Sequence, residues 1–503
     1  MKLINTILIL GVLLSSNSVS RAQGTVRKMD SVFNWQAEHG MLMGNLLVAD
    51  KGKVVYQRSF GYQDLEQKKL NTDSSGFALA SIAKVFTSTA ILQLKEKGML
   101  KLDEPFNKYF PEFMFPDITI RHLLNHTSGL PEYELFDSLA KANPDKIYKN
   151  EDIIPALKVW PKRLYFKPGT NWRYSSMNFC LLALLIEKRS GLTLQQYFYA
   201  HIFEPSGMKQ SYVDNLITSR ANKYRTQNYQ FLPLKDSLVN VNSLPGEHQM
   251  IYNYGGFSGQ GSLTSTVNDM LLFDKAFFSY RLLSSQSVKE ALTPSVLNNG
   301  KKANTIVFDG YGLSYYGLGW FIPKDTTGGL TVYHPGGRPG VGTQYAHNIS
   351  KDQTVILLGN ISSGEVIPSA VSALRILNRV APLEQKVSLA RIYAITLAGK
   401  GNHAARKIVD SLKSDQAHYN LHPQDWIDRA KDLFTAGNKE LAMQAIETGL
   451  TVFPAESIMT EAYGDVLRLT GQKDDAALQY KKAIEQDKKN KNAKEKLARL
   501  QKG

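Results

Sequence analysis

Ser81 and Lys84 lie three residues apart in the stretch FALASIAKVFTSTAILQLKEKG. On a helix, positions i and i+3 share a face. A serine hydroxyl is a weak nucleophile until an adjacent base takes its proton. A lysine amine one turn away is such a base, provided burial lowers its pKa enough for it to be neutral. The pair is therefore a minimal active site. S-x-x-K also arises by chance, so its weight depends on what else the chain carries. Two later clusters are rich in groups that could join it. One is PGTNWRYSSMNF, with Tyr174, Ser175 and Ser176. The other is YHPGGRPG, with His334, Gly336, Gly337 and Arg338 at the end of an expected strand.

Taken together, these clusters resemble the serine β-lactamase and DD-peptidase family. The similarity is to the branch shared by class C β-lactamases, D-specific carboxypeptidases and related esterases. Ser81 to Lys84 matches the family's S-x-x-K, Tyr174 the tyrosine of its Y-x-N, and His334 to Gly336 its K-T-G or H-x-G. The strings LDEPFNKYFPEF, ITIRHLLNHTSGL, IFEPSGM, GQGSLTSTVNDMLLFDKAF and YGLGWFI also fit, so the likeness spans about residues 30–375.

The resemblance implies Ser81 as nucleophile, Lys84 as base and Tyr174 as a second proton carrier. Beside a cationic lysine the phenol is expected to become more acidic. The backbone N–H groups of Ser81 and Gly337 are implied as the oxyanion hole, with Ser176, His334, Gly336 and Arg338 as substrate-binding residues. Glycines at 336 and 337 would let a substrate backbone approach the strand edge. No metal and no cofactor are implied. Two departures stand out. Ser176 occupies the place of the family's asparagine, and Asn178 is two residues out of register with it. His334 replaces a lysine, so a permanent positive charge is missing; a protonated His334 or Arg338 could attract a substrate carboxylate instead.

Other candidates read as structural. His122 and His126 have the spacing of helical metal ligands, but Thr127-Ser128-Gly129 favours a turn. Asp103 and Glu104 precede Pro105 and suit a helix terminus.

These residues need elements to hold them. Region 26–380 reads as α+β, with a helix at 26–39 and a hairpin turning at Asp50-Lys51-Gly52. A helix over 82–98 stops at Gly98, and NFCLLALLIEKRSG forms a strongly apolar helix. Consecutive strands follow at YGLGWFI, LTVYHPGG, TQYAHNI and QTVILLGN. Strands at both ends suggest one sheet completed by both termini, with a helical lobe inserted. The expectation is a β-lactamase/transpeptidase-like domain of sheet and helices.

Beyond Pro382 the composition turns to Ala, Leu, Lys and Gln. Gly437 and Gly471, Ala442 and Ala476, and Ile446 and Tyr480 are each 34 residues apart. This is the tetratricopeptide period. Residues 385–500 therefore read as an all-α tetratricopeptide-like solenoid that could bind a protein or peptide partner.

The chain of 503 residues has 43% hydrophobic and 21% charged residues, ordinary for a globular protein of two or more domains. Residues 1–22 read as a signal peptide: Lys2, an apolar run from Ile4 to Leu14, then Ser20-Arg21-Ala22. Cys180 is the only cysteine, so no disulfide can form within the chain. Export to a bacterial periplasm or the extracellular space is expected. The net charge of +15 is concentrated in part between Lys481 and Lys502. That tail could meet an anionic envelope surface, or simply be a solvated helix face. An exported chain without a recognisable nucleic-acid motif is not expected to bind nucleic acid. The reading is an exported serine hydrolase acting through an acyl-enzyme on a small-molecule or peptide substrate. The alternative is a peptide-binding scaffold in which the repeats carry the role and the hydrolase lobe is degenerate.

Overall fold

The computed structural model describes residues 23–161, 163–216, 224–232, 234 and 237–501. The expected signal peptide, residues 1–22, lies outside them. By its internal contacts the chain forms two compact units. The first comprises Met1–Gln230 and Val239–Leu383, the second Phe231–Leu238 and Glu384–Gly503.

The first unit begins with a helix over 23–38. Strands β1 (Gly44–Asp50) and β2 (Lys53–Phe60) follow as the expected hairpin. Helix α1 (Ala83–Glu96) carries the lysine of the S-x-x-K pair, and α2 (Ser176–Ser190) is the apolar helix. Strands β3 (Asn304–Phe308), β4 (Gly312–Tyr316), β5 (Phe321–Pro323), β6 (Thr331–Arg338), β7 (Val341–Asn348) and β8 (Gln353–Gly359) run in succession. The sheet order is β3-β4-β5-β6-β7-β8-β1-β2. Its ladders are antiparallel, with Gly44 opposite Gly359 where the chain's early hairpin completes the sheet. The α+β expectation, with the helical lobe inserted between the strands, is met.

Two cores flank this sheet. One joins α1 and α2, through Val85, Phe86, Leu181 and Leu185, to Ile356 and Leu358 of β8. The other packs Met29 and Phe33 of the first helix, with Ala370 and Leu374 of the helix Val366–Leu377, on Leu46, Val48 and Leu357. Alternate residues of β1 and β8 serve opposite faces, as the two-residue period of a strand requires. Buried on both faces, these strands read as continuous apolar runs. Cys180 is a buried free thiol in α2.

The second unit is helical from Leu389 to Gln501, apart from a two-residue parallel pairing of Val387–Ser388 with Tyr419–Asn420. Gly437 and Gly471 follow the helices Pro423–Thr435 and Ser457–Leu469 with φ of 83° and 92°, so glycine serves the turn at both 34-residue positions. A Cβ at Gly464 would come within 2.7 Å of the Tyr480 ring, so the small residue is needed for the helices to touch. Trp426, Tyr393 and Leu433 centre this core, and Leu234 from the 231–238 segment packs on it. That segment falls outside the expected 385–500 boundary, because its apolar contacts lie with the helices. No helix among the described residues is long and apolar enough to cross a membrane.

Candidate active site

The approach to Ser81 is fixed from two sides. Phe77–Ala78 pairs with Leu263–Ser265 in a small separate sheet. The Leu79 N–H donates to the Leu263 carbonyl at 2.7 Å, and the Thr343 hydroxyl of β7 donates to the Leu79 carbonyl at 2.8 Å. Ala80 then takes a φ of +46°, a left-handed conformation that strains a residue with a Cβ. Ser81 follows in a short 3-10 turn, Ala80–Ile82, that leads directly into α1. Backbone N–H groups at this helix start have no intrahelical acceptor, so they face whatever lies at the nucleophile.

Gly336 of β6 lies against the same turn. A Cβ there would meet the Leu79 carbonyl oxygen at 2.3 Å and the Thr343 hydroxyl at 2.2 Å. Its missing side chain therefore serves strand-to-turn packing, where the sequence suggested room for substrate. Gly337 is exposed, with nothing within 4 Å of its would-be Cβ. Of the two glycines it is the one open to a substrate.

Lys84 is fully buried. Its Nζ donates to the Ser81 hydroxyl at 3.2 Å and to the Gln260 carbonyl at 2.6 Å. The loop that supplies Gln260 also accepts the Thr87 hydroxyl at the Gly259 carbonyl, 2.7 Å. Gly259 has a φ of +90° and lies so close to α2 that a Cβ would strike Ala183 at 2.6 Å. The glycines of GFSGQGS thus bring a carbonyl to the lysine. Burial pushes the Lys84 pKa down to about 8, against an opposing pull from Glu132. A usable fraction of neutral amine follows near neutral pH.

Tyr174 hydrogen-bonds Ser81, and its ring centroid lies 4.9 Å from the Lys84 Nζ. Its acidity departs from expectation. Burial raises the phenol well above its ordinary value, and the Ser81 hydrogen bond opposes this only in part. Desolvation outweighs any benefit from the neighbouring lysine, so Tyr174 rests as a neutral phenol able to donate.

His334 also corrects the sequence reading. It is 1% exposed, and burial with the nearby Lys84 charge lowers its pKa to about 3. Nδ1 donates to the Pro335 carbonyl at 2.7 Å, which leaves Nε2 to accept the Tyr316 hydroxyl at 3.0 Å. This imidazole is neutral across the working range and cannot attract a carboxylate by charge. Its ring lies 6.4 Å from that of Tyr174, on the wall of the same cavity.

Ser176 is the first residue of α2, and its backbone N–H donates to Glu132. Asn178 does not substitute for it. Its amide is used by the Ser128 hydroxyl at 2.7 Å and by His126 at 3.1 Å, all buried. His122 accepts the Thr119 N–H at the start of its own short helix, so the two histidines serve separate local roles. Asp103 and Glu104 form ion pairs with Arg121 and Lys108.

Two residues of the site escaped the sequence reading. His126 is wholly buried, held neutral by desolvation and the Lys84 charge, and its ring lies 4.3 Å from the Tyr174 ring, tilted by 31°. Its Nδ1 accepts the Ser175 N–H at 3.2 Å, which fixes the backbone beside Tyr174. The string NHTSG held it, but as a turn signal. Glu132 had no signal, since neither periodicity nor spacing marks it.

Ser81 and Tyr174 line two neighbouring cavities. One, of about 600 Å³, has apolar walls from Ile306, Phe308, Phe321 and Val366 together with His334. The other, of about 390 Å³, is lined by charged residues: Glu132, Asp214, Arg225 and Arg338. Arg225 is tied to Asp214 at 2.5 Å. Arg338 lines both cavities and has no ion-pair partner among the described residues.

The Beta-lactamase family model matches residues 27–375. The chain belongs to the Beta-lactamase family. Penicillin-binding protein 4* of Bacillus subtilis is 33% identical over 342 residues, covering 67% of this chain and 72% of that protein. A penicillin-binding protein structure from Bacillus halodurans aligns with a TM-score of 0.57 and 27% identity, over 70% of this chain and 98% of that one. D-amino acid amidase from Ochrobactrum anthropi SV3 shares the fold, with a TM-score of 0.57 at 20% identity, over 72% of this chain and 98% of the amidase. Membership of this family, with the serine–lysine–tyrosine arrangement, makes the protein a serine hydrolase of the β-lactamase and penicillin-binding type.

Proposed function

We infer that the protein is an exported hydrolase that opens peptide, amide, ester or β-lactam carbonyls through an acyl-enzyme on Ser81. The observation that carries this is the 3.2 Å contact between the Ser81 hydroxyl and a fully buried Lys84 whose pKa is lowered. Neutral Lys84 takes the serine proton as Oγ attacks the carbonyl carbon. The oxyanion forms against the N–H groups of Ser81 and Gly337. Tyr174 donates its proton to the departing nitrogen or oxygen and is reprotonated from Lys84. Water then enters by the reverse sequence, releasing a carboxylic acid and regenerating Ser81.

Several features bear on the choice of substrate. The neutral His334 offers no cation where a lysine would stand, so a substrate carboxylate falls to Arg338. Ser176, shorter than asparagine, holds one substrate contact at most. The names of the relatives, a penicillin-binding protein and a D-amino acid amidase, support acyl transfer at an amide or β-lactam carbonyl. Residues 1–22 direct export, and the tetratricopeptide-like helices beyond Glu384 offer a surface for a protein or peptide partner, with the basic terminus turned to an anionic envelope.

Intact-mass measurement after exposure to a fluorophosphonate, penicillin and a D-Ala-D-Ala peptide tests this reading. A stoichiometric fluorophosphonate adduct mapping to Ser81 is expected. No adduct with any of the three would refute an acyl-enzyme.

A further inference from the structure

Strands Tyr229–Phe231 and Leu238–Asn240 pair as a two-stranded ribbon. The stretch between them is too short for a parallel crossover, so the ribbon is a hairpin. Its base, up to Gln230 and again from Val239, belongs to the hydrolase unit, and its tip, Phe231–Leu238, to the helical unit. Strands of three residues in one isolated pair are marginal on their own, so what holds each end decides where the hairpin stands.

The base is fixed by hydrogen bonds. Tyr229 is fully buried. Its N–H donates to the Asn360 carbonyl at 2.9 Å, and its hydroxyl donates to Glu66 while accepting the Leu65 N–H at 2.8 Å. The Val241 N–H donates to the Asn228 carbonyl at 3.0 Å. A Cβ on Gly340 would come within 2.8 Å of Asn228, Tyr229 and Val241, so the turn after Arg338 lies directly on the base. From there Thr226, Gln227, Asn228, Val241 and Asn242 form part of the wall of the charged cavity onto which Ser81 opens.

The tip is held by its apolar side chains. The Arg391 guanidinium lies 4.3 Å from the centre of the Phe231 ring, and Leu234 packs on the core around Trp426 and Tyr393. Neither Phe231 nor Leu234 lines the cavity. Large apolar groups at the tip of a short hairpin gain from burial only because the helices cover them.

We propose that the helical unit is a positioning element of the hydrolase: by gripping Phe231 and Leu234 it holds the hairpin as a fixed wall of the cavity, and so sets how tightly a substrate with an extended acyl portion binds. This rests on the acyl-enzyme reading above. Phe231 and Leu234 are positioning residues. Ser81, Lys84 and Tyr174 are set by α1, α2 and the loop at Gly259, so bond making and breaking at the carbonyl does not depend on the hairpin. A small acyl group meets only the nucleophile, whereas a longer one reaches the wall.

The competing reading makes the tip a mere filler of the helical core. The test uses the full chain. KM and kcat are measured on p-nitrophenyl acetate and on p-nitrophenyl esters of N-acetylated dipeptides and tripeptides. Fluorophosphonate labelling checks Ser81, and hydrogen exchange at 225–230 and 239–242 checks the hairpin base. Leu234→Ser should raise KM for the peptidyl esters by about threefold or more, with kcat and the acetate ester little changed. Exchange at the base should quicken. Leu234→Met should restore wild-type KM. Phe231→Leu removes the ring beneath Arg391 and should give the same pattern in smaller measure, which keeps the test decisive if Leu234→Ser does not fold. Faster exchange confined to the tip and the helices, with KM unchanged, overturns the proposal and leaves the filler. An equal loss on both ester classes overturns it too, as does a wild-type KM that does not improve from the acetate to the peptidyl esters. In each of these cases intact labelling leaves the acyl-enzyme standing. A wild-type protein that does not label refutes the acyl-enzyme, and this proposal with it.

Discussion

The two units treat charge in opposite ways. In the helical unit, charged groups answer one another, even the buried Glu461: Lys496 reaches Glu461 and Asp465 at 2.5 Å each, and Arg429 meets Asp432 at 3.0 Å. Its interior is Trp426, Tyr393, Leu433 and small residues. In the hydrolase unit, Lys84 and His126 are wholly buried, His334 nearly so, and Glu132 sits in the cleft without a counter-ion. The first arrangement follows from helical periodicity alone. The second costs stability at each group, and it persists because the surrounding hydrogen bonds fix every partner. Buried polar groups with displaced pKa values mark the unit that performs chemistry.

The sharpest break in this comparison is Ser81→Ala. It should lower hydrolysis by at least about a thousandfold and abolish fluorophosphonate labelling. Its melting temperature should stay within a few degrees of wild type, because one small hydroxyl contributes little to stability. Labelling that survives would move the nucleophile elsewhere.

The two adjacent glycines give the next contrast. Gly336→Ala drives a methyl group into the Leu79 carbonyl and Thr343, and should cost roughly 2 kcal/mol or more by urea unfolding, with activity falling alongside. Gly337→Ala has open space and should leave the unfolding midpoint unchanged. Equal stability losses would show that strand-to-turn packing is not what Gly336 serves.

A chain ending at residue 383 should still fold around its own sheet and label at Ser81, since that unit has its own cores. It loses the helices on which Leu234 packs, so limited proteolysis should cut near 231–238 in the short form and spare the full chain. A short form without labelling would make the two units one cooperative whole.

His334 supplies a smaller, pH-dependent effect. Its folded pKa is depressed to about 3 from an ordinary 6.5. Between those values the unfolded chain binds a proton that the folded protein refuses, so stability falls as pH drops from about 6.5 toward 3. His334→Gln removes that part of the acid sensitivity, while the buried His126 retains its own. The drop in melting temperature from pH 7.5 to pH 4.5 should therefore be smaller in the variant. An unchanged drop would mean His334 is not held neutral. Smallest of all, Lys496→Ala breaks a partly exposed pair of contacts and should cost about 1 kcal/mol or less, with no change in hydrolysis.

Local chemistry was legible wherever short-range rules set it. Ser81 and Lys84 meet because a helix brings i and i+3 together. Gly98 stops a helix, and the apolar strands pair in chain order. The 34-residue recurrence of Gly437 and Gly471 was equally visible, since each turn repeats one backbone requirement. The same sequence suggested a charged His334, a more acidic Tyr174 and a substrate-facing Gly336. All three were misread because burial, which is a property of the assembled fold, decides them. Desolvation neutralises the imidazole and holds the phenol protonated. The Leu79 carbonyl, more than two hundred and fifty residues away in the chain, fixes why position 336 must be glycine. Glu132 and His126 are likewise ordinary residues in sequence. Their roles come from α2, the Gly129 turn and the nucleophile's helix closing around one cleft, where distance and dielectric, set by residues far apart in the chain, determine what each group can do.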